Sequence, residues 1–117
     1  EIKTGKKKTH WMWFIFPQIN GLGFSKTSKY YAIKNMEEAK QYLQHNILGT
    51  RLKEISAELL KLETNDAYAI FSNPDNLKLH SSLTLFAQIS PAGSLFQQAL
   101  DKFFDGNPDS RTLELLK

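Results

Sequence analysis

The stretch that most constrains this chain is residues 11–16, where two tryptophans, two phenylalanines, a methionine and an isoleucine precede Pro17 without interruption. Side chains of this size dominate the energetics of whatever they pack into. The run is far shorter than the ~20 apolar residues of a membrane-crossing helix, and no small-residue cleavage site follows it as in a signal peptide. We therefore expect an irregular aromatic segment at the centre of the core, and no membrane span.

Length and composition favour one small domain. The chain has 117 residues, enough to bury a core without a metal or disulfide. It contains no cysteine, which excludes disulfide frameworks and thiolate chemistry and fits a reducing compartment. We therefore expect a single cytoplasmic domain spanning residues 1–117.

The net charge of +3 comes largely from lysines near the start, at positions 3, 6, 7 and 8. Lysines near a polyanion gain affinity by releasing counterions, so nucleic-acid binding is one interpretation. The alternative is a solvated terminus, because like charges in a row repel and stay hydrated. Four lysines make a small patch, so we do not expect nucleic acid as a partner.

From Asn35 onward the pattern is helical. Asn35 followed by Glu38 matches a capping box, and leucines and an isoleucine at three- and four-residue steps predict an amphipathic helix from Leu48 to Leu62. A single helical turn is expected at 68–71. The longer helices are predicted at 35–44, 48–62, 75–89, 93–104 and 109–116. The predicted fold is all-α, a compact single-domain bundle of about five helices.

The helix predicted from Asp75 carries the main candidate site. Asp75, Lys78, Ser81, Ser82 and Leu85 follow three- and four-residue steps and share one face. Functionally, the lysine is suited to anchor a phosphate or carboxylate, with the hydroxyls donating to it. Alternatively, the aspartate complements the helix dipole, the lysine pairs with it, and the serines allow another helix to approach closely. The sequence leaves both interpretations open.

A second candidate is the segment 21–28, where Gly21 and Gly23 precede Ser25 and Ser28. Flexible glycines followed by hydroxyls are typical of a phosphate-binding loop, but neither the dinucleotide nor the P-loop fingerprint is present. A tight turn after the aromatic segment explains the glycines equally well.

Two polar residues that flank the aromatic segment are further candidates. His10 beside Trp11 and Trp13 is suited to general acid or base work in an aromatic pocket, or to hydrogen-bonded packing. Gln18 is a neutral amide that is able to bind a base or the backbone of the turn. Three scattered histidines without a carboxylate at ligand spacing predict no metal, and no cofactor is expected.

Five segments carry a family resemblance that covers nearly the whole chain: GKKKTHWMWFIFPQINGLGFSKTSKYYAI, EEAKQYL, LGTRL, DNLKLHSSLTLF and FFDGNPDSRTLELL. They closely resemble the bacterial family called domain of unknown function 1810. The resemblance implies an all-α fold, no assigned activity and about one further helix before this chain begins. The matching positions are His10, Trp11, Trp13, Phe16, Pro17, Gln18, Gly21, Gly23, Ser25, Ser28, Tyr31, Ala32, Asp75, Lys78, Ser81 and Ser82.

The order of elements and the lysine-bearing helix are also similar to the NADAR proteins, which cleave N-glycosidic bonds of ADP-ribosylated or nucleotide-like substrates. This similarity implies a small phosphorylated or riboside ligand, with Lys78, Ser81 and Ser82 on its phosphate or ribose. Asp75 then acts as acid or base or orients the lysine, and a tryptophan stacks on the base. The alternative is a non-catalytic interaction module, so enzyme activity stays an open question. The expected ligand-binding residues are His10, Trp11, Trp13, Gln18, Gly21, Gly23, Ser25, Ser28, Tyr31, Ser81 and Ser82.

Overall fold

The computed structural model describes residues 16–19, 21–22 and 32–116. Within these ranges the chain forms six helices. They are α1 (Met36–Gln44), α2 (Leu48–Lys61), α3 (Ala67–Phe71), α4 (Asp75–Gln88), α5 (Leu95–Phe104) and α6 (Ser110–Leu116). The predicted all-α single domain is confirmed, and the single turn expected before Pro74 is the short α3.

Helices α1, α3 and α5 each begin at a capping side chain. Asn35 Oδ1 accepts a hydrogen bond from the Glu38 amide at 2.9 Å at the start of α1. Asp66 caps α3 in the same way, and Ser94 Oγ accepts from the Gln97 amide at 3.3 Å at the start of α5. Each cap satisfies an amide that has no partner within its own helix. These local signals are the reason that the sequence predicts the helix bounds well.

The last helix turns a different face inward than its pattern of leucines predicts. Thr112 is fully buried in α6, whereas Leu113 is only half-buried. Asp109 Oδ2 accepts from both the amide and the hydroxyl of Thr112, at 3.0 Å and 2.6 Å. Because this cap satisfies the threonine, a polar side chain packs inside where the sequence predicts Leu113. Leu116, also predicted to be buried, packs partly against the core.

Helix α4 occupies the middle of the bundle, since it packs against α1, α3, α5 and α6. Every side chain from Ser81 to Phe86 is buried. The sequence predicts one apolar and one polar face for this helix. The stretch Ser81–Phe86 has instead no solvent-facing side, because neighbouring helices surround it.

A set of polar contacts fixes the α5–α6 corner on α4. Thr84 Oγ1 donates to the His80 carbonyl at 2.8 Å and accepts from the Asp109 amide at 2.9 Å. The His80 ring stacks on Phe104 at 4.1 Å between centroids, and its Nε2 donates to the Asn107 carbonyl at 2.7 Å. The buried hydroxyl of Thr84 therefore uses both its proton and a lone pair.

The segment before α1 enters the core through three apolar side chains. Phe16 is 1% exposed, and its ring meets Phe71 edge to face at 6.2 Å. Ile19 and Ile33 are both buried and form an isolated parallel bridge. Phe16 thus fits the expected role of the aromatic run, and residues 11–15 lie outside the described residues. In the part of the chain that the structure describes, no helix is long and apolar enough to cross a membrane.

Tyr42 gives the domain an expected weakness at alkaline pH. Burial raises the pKa of its phenol from 10.0 to about 12, against the opposing effect of Arg51. As the pH rises, the unfolded chain loses this proton first, so the tyrosine's contribution to stability falls between pH 10 and about 12. We expect Tyr42→Phe to remove this pH dependence, measured as the difference in urea midpoint between about pH 8 and about pH 11.

Tyr68→Phe is the matched control, because that side chain is 60% exposed on α3. The control is expected to lose stability with pH as the wild type does. Equal alkaline losses in wild type and Tyr42→Phe would show that the phenol of Tyr42 is not protected from ionisation.

Candidate functional site

One hydrogen bond joins the turn after the aromatic segment to the middle of α4. Gln18 Nε2 donates to Ser81 Oγ at 2.6 Å, across 63 positions of sequence. The backbone carbonyl of Gln18 also accepts from the Ile33 amide at 2.7 Å. Gln18 is thus held through both its main chain and its side chain. The two segments that the sequence hypothesis needs side by side do meet at this residue.

Lys78 lies on the same helix one turn before Ser81, and Asp75 lies one turn before Lys78. Lys78 Nζ is 3.5 Å from Asp75 Oδ1, and the two side chains keep 19% and 18% of their surface exposed. Ser81 Oγ donates to the Lys78 carbonyl at 3.1 Å. Charges that are mostly shielded from water interact more strongly than freely solvated ones. The pair is therefore a largely shielded ion pair that keeps part of its surface in contact with solvent.

The two serines are more deeply buried than the charged pair, with 2% of Ser81 and none of Ser82 exposed. Ser82 Oγ has no hydrogen-bond partner among the described residues, and neither does the buried Oδ1 of Asn76. A buried polar atom without a hydrogen-bond partner lowers the stability of the folded state by about 1–3 kcal/mol. In native structures such atoms usually bond to ordered water or to a bound group. Asn76 is not among the residues that the sequence predicts for the site. The sequence feature that points to it is an amide side chain in the first turn of α4.

Gly21 has a structural explanation. Its φ is +110°, and a Cβ placed there would lie 3.1 Å from Leu115 Cδ2 on α6. Only glycine adopts such a φ without strain. The tight-turn interpretation therefore accounts for this residue.

The remaining predicted ligand-binding residues lie outside the described residues, and their roles stay predictions. They are His10, Trp11, Trp13, Gly23, Ser25, Ser28 and Tyr31. Among the side chains that the structure does describe, no group of three or more His, Asp or Glu is placed to hold a metal ion. A shallow, open depression lined by Arg51, Glu54, Ile55 and Glu58 runs along α2 rather than α4.

Comparison with known proteins agrees with this architecture. Residues 1–116 match the family described as protein of unknown function (DUF1810). The crystal structure of the conserved hypothetical protein Rv1873 from Mycobacterium tuberculosis is similar, with a TM-score of 0.94 and 44% sequence identity over 98% of this chain and 82% of that chain. A search of the curated proteins finds no match. This chain therefore belongs to the family of proteins of unknown function designated DUF1810.

Proposed function

We propose that this domain binds a nucleotide or ADP-ribose-like ligand beside the first half of α4, and that it hydrolyses the N-glycosidic bond of that ligand. The observation that carries the proposal is the hydrogen bond between Gln18 and Ser81. It joins the end of the aromatic segment to the helix that carries a cation and a carboxylate, Lys78 and Asp75, 3.5 Å apart. A riboside phosphate needs this combination, because its base is flat and apolar and its phosphate is anionic.

Lys78 is the proposed phosphate ligand. Its side chain keeps 19% of its surface exposed, and Asp75 Oδ1 lies 3.5 Å from its ammonium. An ammonium that already lies in a partly buried position loses little freedom when an anion binds. The proposal assigns base stacking to Trp11 or Trp13, which lie outside the described residues.

Asp75 is the proposed acid or base. Hydrolysis breaks the C1′–N bond: water supplies a hydroxyl to C1′, and its other proton passes to the leaving nitrogen. A carboxylate next to the site is suited to take the proton from water and return it to that nitrogen. We place this activity in the cytoplasm, since a chain without cysteine needs no oxidising compartment.

Binding is tested with ADP-ribose, AMP and NAD, and is measured by thermal shift and by titration calorimetry. We expect stabilisation by at least one compound and a loss of affinity of about tenfold or more in Lys78→Ala. Lys61→Ala is the matched control, because Lys61 forms the same type of i,i+3 pair with Glu58 at 3.2 Å but is 72% exposed on α2. Equal affinity of both variants for every compound would exclude Lys78 as the phosphate ligand.

Hydrolysis is tested separately, by chromatography of the released base. Asp75→Asn keeps the size of the side chain and removes its basicity, so we expect turnover to fall about 100-fold or more while binding persists. Unchanged turnover in Asp75→Asn would remove the aspartate from the mechanism.

A non-catalytic interaction module is the alternative function. The burial of Ser81 and Ser82 favours it, because packed hydroxyls are not available to a ligand. Tyr68 and Leu77, 60% and 58% exposed, are the apolar side chains that such a module would offer to a partner. This alternative predicts that no compound of the panel stabilises the domain.

A further inference from the structure

The hydroxyl proton of Ser81 determines how the Gln18 amide is oriented. Ser81 Oγ lies 3.1 Å from the Lys78 carbonyl, which is able only to accept, so the single hydroxyl proton points there. Toward Gln18 the same oxygen is then an acceptor. Gln18 therefore presents Nε2, at 2.6 Å, and turns Oε1 away from Ser81.

The amide oxygen of Gln18 is left as a free acceptor within the described part of the chain. No residue that the structure describes donates to Oε1, and this atom is not among the sealed polar atoms without a partner. The side chain is half-buried, and its backbone carbonyl is already occupied by the Ile33 amide. The acceptor is consequently fixed in direction before any ligand arrives.

The fixed acceptor and a cation belong to the same face of α4. Ser81, which holds the Gln18 amide, lies one helical turn after Lys78 and bonds to the carbonyl of that same residue. A ligand as long as ADP-ribose that is anchored on Lys78 extends along this face toward Gln18 Oε1. An acceptor that is already oriented discriminates well, because a ligand lacking the donor leaves it unpaired.

We propose that Gln18 Oε1 selects ligands that carry an N–H₂ donor, and that Ser81 is the positioning residue that keeps this acceptor oriented. This inference rests on the proposed nucleotide-binding function. Two parts of such a ligand offer the donor, the exocyclic amine of adenine and the carboxamide of nicotinamide. In both groups, replacing the N–H₂ by oxygen places a hydrogen-bond acceptor of the ligand against the acceptor Gln18 Oε1, so no hydrogen bond forms.

The test uses paired ligands on the wild-type protein, so it needs no variant to fold. ADP-ribose is compared with inosine diphosphate ribose, and NAD with nicotinic acid adenine dinucleotide. We expect the amino or amide member of one pair to bind about tenfold more tightly. The pair that shows the difference identifies the end of the ligand that Gln18 contacts, and equal affinities within both pairs would overturn the inference.

Variants then separate selectivity from affinity. Gln18→Met keeps the length of the side chain and removes the acceptor. We therefore expect the ratio of the affinities for the amino or amide ligand and the oxo ligand of a pair to fall to about one. Ser81→Ala is expected to reduce this ratio, because the Gln18 amide loses the hydroxyl that orients it, and a merely structural role would not change selectivity. A ratio unchanged in both variants would contradict the inference.

Lys78→Ala distinguishes this inference from the function on which it rests. It should weaken both members of a pair equally and preserve their ratio, because the ammonium contacts the phosphate that they share. Binding that depends on Lys78 but shows no discrimination would leave the proposed function in place and reject only the role of Gln18. The absence of any binding would reject both.

Discussion

Replacing Phe86 by alanine is expected to lower the free energy of unfolding by about 3–5 kcal/mol, the usual cost of removing a buried aromatic side chain. Phe86 is fully buried on α4, and its ring packs against Tyr42 of α1 and Phe96 of α5, each at 5.7 Å between centroids. The substitution leaves a cavity between three helices that cannot all move to fill it. Urea denaturation followed by circular dichroism measures the loss.

Leu77→Ala is the matched control for this substitution, because Leu77 is an apolar residue of the same helix that is 58% exposed. We expect a change of about 0.5 kcal/mol or less, as for other surface positions. Similar losses in the two variants would mean that the α4 face bearing Phe86 is not the centre of the core.

Gly49→Ala is expected to destabilise the domain by about 3 kcal/mol, the upper end of the usual range for overpacking. An added Cβ would overlap the Leu43 carbonyl oxygen, lie 2.6 Å from the carbonyl carbon and lie 3.1 Å from the carbonyl oxygen of Tyr42. These are backbone atoms of α1, so rotation of a side chain does not relieve the contact. The higher helix propensity of alanine stabilises the folded state by at most about 1 kcal/mol. This gain is smaller than the loss of stability from moving α1 away from α2.

Thr50→Ala provides the comparison for Gly49→Ala, since Thr50 is the next residue of α2 and is exposed. There the same gain in helix preference acts without a steric clash, so we expect unchanged or slightly higher stability. Thermal unfolding of both variants measures the difference. A Gly49→Ala variant as stable as Thr50→Ala would show that the two helices separate at little cost.

Sequence reasoning predicted the helices well where the deciding interactions are local. The Asn35 cap and the leucine stripe of α2 act within a few residues, and both appear as predicted. The face of α6 was predicted less well. Which side of that short helix turns inward depends on the Asp109–Thr112 contacts rather than on the spacing of leucines.

The environment of α4 was beyond local reasoning. Its spacing of polar residues gave an amphipathic helix, and the structure instead surrounds Ser81–Phe86 with other elements. Nothing in the periodicity of one helix tells how many neighbours it has. The i,i+3 pairing of Asp75 with Lys78, in contrast, follows from helical geometry alone and was predicted.

The site was predictable as a set of residue types but not as a geometry. Gln18 was a candidate because an amide is unusual beside an apolar run, and Ser81 because of its helix face. Their mutual contact spans 63 positions and depends on how the whole chain folds. Asn76 was missed because a polar residue in a first helical turn is ordinary, and only its burial makes it noteworthy.

The enclosure of α4 has a consequence for how a site on it would work. A helix held by four others does not swing or fray alone, because any displacement disturbs all of its neighbours. Lys78 and Ser81 therefore form the stationary side of the candidate site. The turn that carries Gln18 is set in the same way, because Phe16 and Ile19 anchor it in the core and its side chain bonds to Ser81, so a guest molecule meets two surfaces that are already in place.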